Sequence, residues 1–170
     1  ELVGELRELF NNRVGDLDSG ALPYAVKALG ITMEEAERQL TKESGLQGVS
    51  CVGNDLRDVT KAAGEGNTDA QLALDMLVHS ARKWAASFLF DLGGLDALVF
   101  TAGIGENAAF LREAICADLE AFGVEIDKEK NAACRATETV ISTDSSKVKI
   151  IVIPANEELV LAREVYRKTS

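Results

Sequence analysis

The sequence has few of the residues from which disulfide frameworks and metal centres are built. Its three cysteines, Cys51, Cys116 and Cys134, are odd in number and widely spaced, and no two of them form a CxxC pair. A disulfide scaffold or a zinc site needs paired thiols, so neither is indicated. The single histidine, His79, lacks partners for a metal site, and we expect it to have a packing or surface role. This cysteine usage fits the reducing cytoplasm.

Long apolar runs and clusters of positive charge are also missing. No stretch approaches the ~18 uninterrupted apolar residues of a membrane-spanning helix. The first residues, ELVGELRELF, carry acids where a signal peptide would have a basic start. The 18 basic residues are outnumbered by 28 acidic ones, the net charge is -10, and no basic stripe runs along the chain. Nucleic acids and anionic membranes are bound by clustered Lys and Arg, so we exclude both as partners.

The apolar residues that are present are sufficient for one core. With 46% hydrophobic residues in 170, we predict a single domain, 1-170. The first part of the chain has helical patterns, including a capping box at Thr32 and Glu35 and a long apolar helix over 68–91. The last third alternates: strand 96–101, helix 108–121, the strands ETVIST and VKIIVIP, and helix 156–168. This order predicts an α/β fold with a mixed sheet, whose last strand is covered on both sides.

A glycine turn follows the first predicted strand, in DALVFTAGIGENAAF. Gly103 and Gly105 permit positive φ and a close backbone approach, and a helix start offers free N–H groups, which together favour an anion site. With Ala108, the glycines also match the G-x-G-x-x-G/A dinucleotide pattern, and Glu125 or Asp127 stands where a ribose partner is expected. The alternative is that these small residues only let the helix pack tightly on its strand.

A second turn of the same kind occurs in IIVIPANEELVLA. Pro154 ends the strand and Asn156 is a candidate helix cap, while Glu157 and Glu158 complement the helix dipole whether or not a ligand is present. Alternatively, Glu157 binds Mg²⁺ beside a polyphosphate, because this ion prefers hard oxygen ligands. If the two strands are parallel neighbours, both turns flank one cleft at the carboxyl end of the sheet.

Six separated motifs make the chain similar to a known family. The segments RVGDLDSG, LTKESGLQGVS, NDLRDV, DALVFTAGIGEN, LREAI with the following FGVEID, and VIPANEEL occur in this order. Over residues 11–165 they resemble the carboxyl-terminal half of the acetate kinase family, which belongs to the actin, hexokinase and sugar-kinase superfamily. The resemblance implies a ribonuclease-H-like ATPase fold and reversible transfer of the γ-phosphoryl group of ATP to acetate, with ATP/ADP and Mg²⁺ as cofactors. It also implies a homodimer formed through this domain.

The resemblance assigns roles to particular residues. Arg13 falls on the family's arginine that steadies the phosphoryl group in the transition state, and Glu157 on its magnesium-associated glutamate. The nucleotide-binding positions that it implies are Asp55, Leu56, Arg57, Gly103, Ile104, Gly105, Glu106 and Asn107. Without the resemblance, Arg57 is equally explained by a surface pair with Asp58, and Glu106 by a helix cap.

The chain departs from the family in two places and in length. Ala155 stands where the family usually has Thr, and Asn11 and Asn12 replace a Gly-Thr pair before Arg13. Family members are more than twice as long, and their amino-terminal half supplies the acyl pocket, so we expect the chain alone to be inactive. Two alternatives remain open at this stage. They are an NAD-type dinucleotide-binding domain and a noncatalytic dimerisation module that uses helix 68–91.

Overall fold

The computed structural model of the protein describes residues 15–169, apart from the side chains of Glu157 and Val160. The helices are α1 (Ala21–Leu29), α2 (Met33–Lys42), α3 (Gly45–Ser50), α4 (Leu56–Gly64), α5 (Thr68–Leu92), α6 (Ala102–Asn107), α7 (Ala109–Cys116), α8 (Lys128–Ala133) and α9 (Glu157–Thr169). The strands are β1 (Ala97–Phe100), β2 (Thr139–Val140) and β3 (Lys149–Val152), and a 3-10 helix covers Glu120–Phe122. The described residues form two compact units, which divide between Trp84 and Ala85 within α5.

Side-chain caps mark the starts of α2 and α5. Thr32 Oγ1 accepts a hydrogen bond from Glu35 N at 3.1 Å and begins α2, as the capping box predicts. Asn67 Oδ1 accepts from the backbone N–H groups of Asp69 and Ala70, both at 3.0 Å, and begins α5. Such caps satisfy N–H groups that have no partner within the helix. Sequence analysis did not predict α3.

The long helix α5 is only partly a packed core helix. Its buried residues are Ala70, Ala73, Leu74 and Leu77, all in its first half. Leu72 is 51% exposed and Phe90 is 83% exposed. The buried residues of α5 therefore form a stripe on one face of its first half. No helix in the described part of the chain is both long and apolar enough to cross a membrane.

The second unit contains a three-stranded mixed sheet in the order β1-β3-β2. β1 pairs in parallel with β3, with Phe100 opposite Val152, and β2 pairs antiparallel with β3. The predicted strand ETVIST forms only the two-residue β2. The predicted helix 108–121 ends at Cys116, and α8 was not predicted. The predicted α/β class with a mixed sheet is confirmed.

One face of this sheet forms the core of the second unit. Ile141, Ile150 and Val152 are fully buried there, together with Cys116, Val124, Cys134 and Val148. On the opposite face, Val99 and Val140 flank Ile151 in the register and are 47% and 49% exposed. On β3 itself Lys149 is exposed and Ile151 is half-buried, so this face is only partly covered, contrary to the expectation of a strand covered on both sides. Along the chain, β1 is followed by α6 and β3 is followed by α9.

Candidate functional site

The predicted glycine turn is itself a short helix. β1 ends at Phe100, Thr101 is extended at φ -145°, and α6 then covers Ala102–Asn107. The residue with positive φ is Ala102, at 59°, and neither Gly103 nor Gly105 has positive φ. The positive φ that these glycines permit is therefore not used in this turn. The left-handed residue is Ala102, which directly precedes Gly103.

The two glycines of α6 have different surroundings. A Cβ added to Gly105 would lie 3.2 Å from the carbonyl carbon of Phe100, which is closer than ordinary van der Waals contact. Gly105 therefore lets α6 approach the backbone at the end of β1, which agrees with the close approach predicted for it. A Cβ added to Gly103 would meet no atom within 4 Å. Gly103 and Asn107 are exposed, so this edge of α6 is open.

The parallel pairing of β1 and β3 brings the two predicted turns together. Ile153 N, just beyond β3, donates to Phe100 O at 2.9 Å, so the pairing continues past the ends of both strands. Ala155 N then donates to Oε1 of the buried Glu106 at 2.8 Å. This hydrogen bond joins α6 directly to the PANEE segment. The expectation that parallel neighbouring strands place both turns at one edge of the sheet is confirmed.

The start of α9 follows its predicted capping pattern. Asn156 Oδ1 accepts from Leu159 N at 3.1 Å. Glu157 is the first residue of α9, and its side chain lies outside the described part of the structure. Among the described residues, no group of three or more His, Cys, Asp or Glu side chains is arranged to hold a metal ion. The assignment of Mg²⁺ to Glu157 remains a prediction.

A buried arginine holds the carbonyl end of α6, and sequence analysis missed it. Arg112 in α7 is 1% exposed, and its Nη1 donates to Gly105 O at 2.8 Å and to Glu106 O at 2.9 Å. Burial lowers the pKa of this guanidinium from its ordinary value, although an arginine remains protonated at neutral pH. The sequence did contain a signal for the burial of Arg112. Ala108 precedes it by four residues and Ile115 follows it by three, so Arg112 lies on the apolar face of its helix.

The NDLRD segment forms a compact local ion pair in the first unit. Asp55 caps α4, and its Oδ1 accepts from Arg57 N at 2.9 Å. Arg57 Nη2 donates to Asp55 Oδ2 at 2.6 Å, so Arg57 pairs with Asp55 and not with Asp58. The side-chain hydrogen bonds from Arg57, with its backbone N–H, hold the pKa of Asp55 at about 2, below the ordinary 3.8. Leu56 is half-buried, and the Arg57 side chain is 89% exposed and faces solvent.

The candidate residues thus fall into separate groups. Residues 103–107 and the start of α9 lie together in the second unit, whereas Asp55, Leu56 and Arg57 lie in the first. Arg13 lies outside the described residues.

Comparisons with known proteins agree on one group of enzymes. The sequence model of the acetokinase family matches residues 9–163. Acetate kinase of Treponema denticola is 49% identical over 92% of this chain and 39% of its own length, and acetate kinase of Flavobacterium johnsoniae is 46% identical over 94% and 40%. The chain therefore spans about two fifths of the length of the curated relatives that it matches.

Solved structures of the same group have the same fold. The crystal structure of Porphyromonas gingivalis acetate kinase matches with a TM-score of 0.88 and 36% identity, over 96% of this chain and 41% of that one. A propionate kinase from Francisella tularensis matches with a TM-score of 0.81 and 40% identity, over 90% and 38%. At these similarities the mixed sheet and its flanking helices correspond to part of the fold of these kinases.

Proposed function

This chain belongs to the acetokinase family, and from that premise we propose that it is the nucleotide-binding, carboxyl-terminal part of an acetate kinase. The complete enzyme would transfer the γ-phosphoryl group of ATP reversibly to acetate. In the forward direction a carboxylate oxygen forms the new bond to phosphorus while the bond to the bridging oxygen of ADP breaks, and the products are acetyl phosphate and ADP. Family membership and the motif order support this proposal.

Phosphoryl transfer makes modest demands on side chains. It needs positioning of the reactants and neutralisation of charge, with little acid–base chemistry. Arg57 supplies a solvent-facing guanidinium that Asp55 orients through paired hydrogen bonds. Arg13 would stabilise the equatorial oxygens of the transferred group, as the resemblance implies. Because the reaction needs little acid–base chemistry, a chain with a single histidine can still supply the arginines and acidic residues that it does need.

The observation that carries the nucleotide assignment is the hydrogen bond from Ala155 N to Glu106 Oε1. It holds two strand-to-helix turns side by side at the carboxyl ends of parallel neighbouring strands, where ligands of α/β sheets bind. It also gives Glu106 a positioning role within the nucleotide-binding segment, because its carboxylate is engaged by the protein. The open edge of α6 at Gly103 is then the side available to the nucleotide.

Magnesium would be held by Glu157 together with the phosphate oxygens and water. Mg²⁺ is commonly bound by one or two carboxylates plus substrate phosphates, so a cluster of protein ligands is not required. We expect Glu157→Ala to reduce the magnesium dependence of ATP binding while leaving the fold unchanged. Glu158→Ala is the matched control, because Glu158 is an exposed acid in the same helical turn. Equal magnesium dependence in the two variants would remove Glu157 from the site.

Calorimetry with MgATP and with NAD tests the nucleotide assignment. We expect weak MgATP binding that Gly103→Val abolishes, because the new side chain fills the open edge of α6. Gly64→Val is the control, since Gly64 also lies in a helix and has no atom within 4 Å of an added Cβ. Tighter binding of NAD, lost in Gly103→Val, would replace the kinase proposal with a dinucleotide-binding one.

We expect the chain by itself to form no acetyl phosphate, because productive geometry needs the second lobe and its closure. An assay of acetate-dependent ADP formation measures this directly.

We also propose a homodimer formed through this domain, and sedimentation velocity would detect it. A stable dimer whose thermal midpoint does not respond to nucleotide would instead favour the dimerisation module, because a ligand that binds the folded state raises its stability.

A further inference from the structure

The nucleotide-binding segment 103–107 is held from behind by two buried polar side chains that lie outside it. Arg112 and Asn131 are each 1% exposed. The Nε and Nη2 atoms of Arg112 donate to Asn131 Oδ1 at 2.7 Å and to Asn131 O at 3.0 Å. The remaining terminal nitrogen, Nη1, donates to the carbonyls of Gly105 and Glu106. We refer to Arg112 and Asn131 as the buried clamp.

Asn131 determines the direction in which the guanidinium points. Its Nδ2 donates to Ala109 O at 2.9 Å, so its Oδ1 is left to accept from Arg112. The helix that carries Asn131, α8, is capped by Asp127, whose Oδ1 accepts from Glu129 N and Lys130 N at 3.1 and 3.0 Å. The clamp is therefore anchored to α7 on one side and to a capped α8 on the other.

The clamp completes the hydrogen bonding of the α6 carbonyls. Gly103 O accepts from Asn107 Nδ2 at 3.0 Å, and Ile104 O accepts from Ala108 N at 2.9 Å. The carbonyls of the next two residues accept from Arg112. Carbonyls in the last turn of a helix have no partner within the helix and must accept hydrogen bonds from outside it. In a short helix, such an outside donor also helps to fix the orientation of the helix. Here that donor is Arg112.

We propose that the buried clamp positions segment 103–107 for nucleotide binding, an inference that rests on the proposed function. Burying a guanidinium among neutral oxygens is unfavourable unless each donor finds a partner, and an apolar side chain would fill the same space without that penalty. The arginine contributes a planar set of donors that reaches two α6 carbonyls and Asn131 at once. Arg112 and Asn131 are positioning residues, because they act on the nucleotide through α6.

The test uses Arg112→Lys, which keeps the charge but loses the planar fork. In the 170-residue chain we expect Arg112→Lys to raise the Kd for MgATP roughly tenfold, since more than one charged hydrogen bond is lost. Without nucleotide, amide hydrogen exchange should become faster in residues 103–107 and stay unchanged at Ile150 and Val152 in β3. The matched control is Arg135→Lys, because Arg135 Nη1 also donates to two carbonyls, those of Ala132 and Cys134, both at 2.8 Å. It should change neither quantity.

Asn131→Asp provides a second variant that preserves side-chain size. It keeps the acceptor for Arg112 and loses the donor to Ala109 O, so exchange in residues 103–107 should again become faster and MgATP affinity should fall. Equal acceleration of exchange in segment 103–107 and in β3 would indicate general destabilisation and overturn the inference. Wild-type affinity in both variants would overturn the inference alone. Absence of MgATP binding in the wild-type chain would overturn the proposed function, and the inference with it.

Discussion

Two glycines in one short helix should respond in opposite ways to the same substitution. Gly103 and Gly105 lie two residues apart in the six-residue α6, and neither has positive φ. Replacing glycine by alanine within a helix stabilises the folded state by about 0.5–1 kcal/mol, because the unfolded chain loses freedom. For Gly103→Ala no atom lies within 4 Å of the new Cβ. We therefore expect this variant to be more stable by about that amount.

At Gly105 the same gain is opposed by a close contact. The new Cβ would lie 3.2 Å from Phe100 C and 3.5 Å from its Cα, and both atoms belong to backbone that is paired with β3. Overpacking against atoms that cannot move aside costs about 1–3 kcal/mol. After the helical gain is subtracted, Gly105→Ala should be less stable than wild type by up to about 2.5 kcal/mol.

Thermal unfolding of the two variants and wild type measures this difference. In a chain of this size, about 1 kcal/mol shifts the midpoint by roughly 2–4 °C, so the variants should differ by several degrees, with wild type between them. Urea unfolding should give the same order. If Gly105→Ala were as stable as Gly103→Ala, the approach of α6 to β1 would not be what requires glycine at position 105, and the packing argument would fail.

Two further predictions concern charged residues of the site. Because Arg57 holds the pKa of Asp55 near 2, below its ordinary 3.8, the pair stabilises the folded state above about pH 4 and loses this effect as pH falls towards 2. Asp55→Asn should therefore flatten the pH dependence of stability between about pH 4 and 2, measured by urea midpoints, and an unchanged slope would contradict the assignment. Glu106→Gln should be nearly neutral, since an amide oxygen can still accept from Ala155 N, whereas Glu106→Ala should destabilise by about 1 kcal/mol. Equal urea midpoints for the two variants would show that this hydrogen bond contributes nothing.

Features with local causes were predictable from sequence. Thr32 and Asn67 begin helices because a side-chain oxygen reaches an N–H group two or three residues ahead. The apolar strands on either side of α6 were located for a similar reason, since a strand's own residues carry its pattern. The short helices α3 and α8 escaped prediction because six residues hold too little periodicity to be distinguished from a loop.

The sequence by itself determined the order of the longer elements, the mixed α/β class and the family, because capping, periodicity and motifs can be read along the chain. Only the tertiary structure decided how the candidate site is supported. Glu106 meets Ala155 across 49 residues, and Arg112 meets Asn131 across 19. Gly105 is confined by Phe100, and the buried Arg112 finds neutral partners, because the fold brings these atoms together. Those contacts arise from the parallel pairing of β1 with β3 and the packing of α7 against α8, which no local pattern specifies.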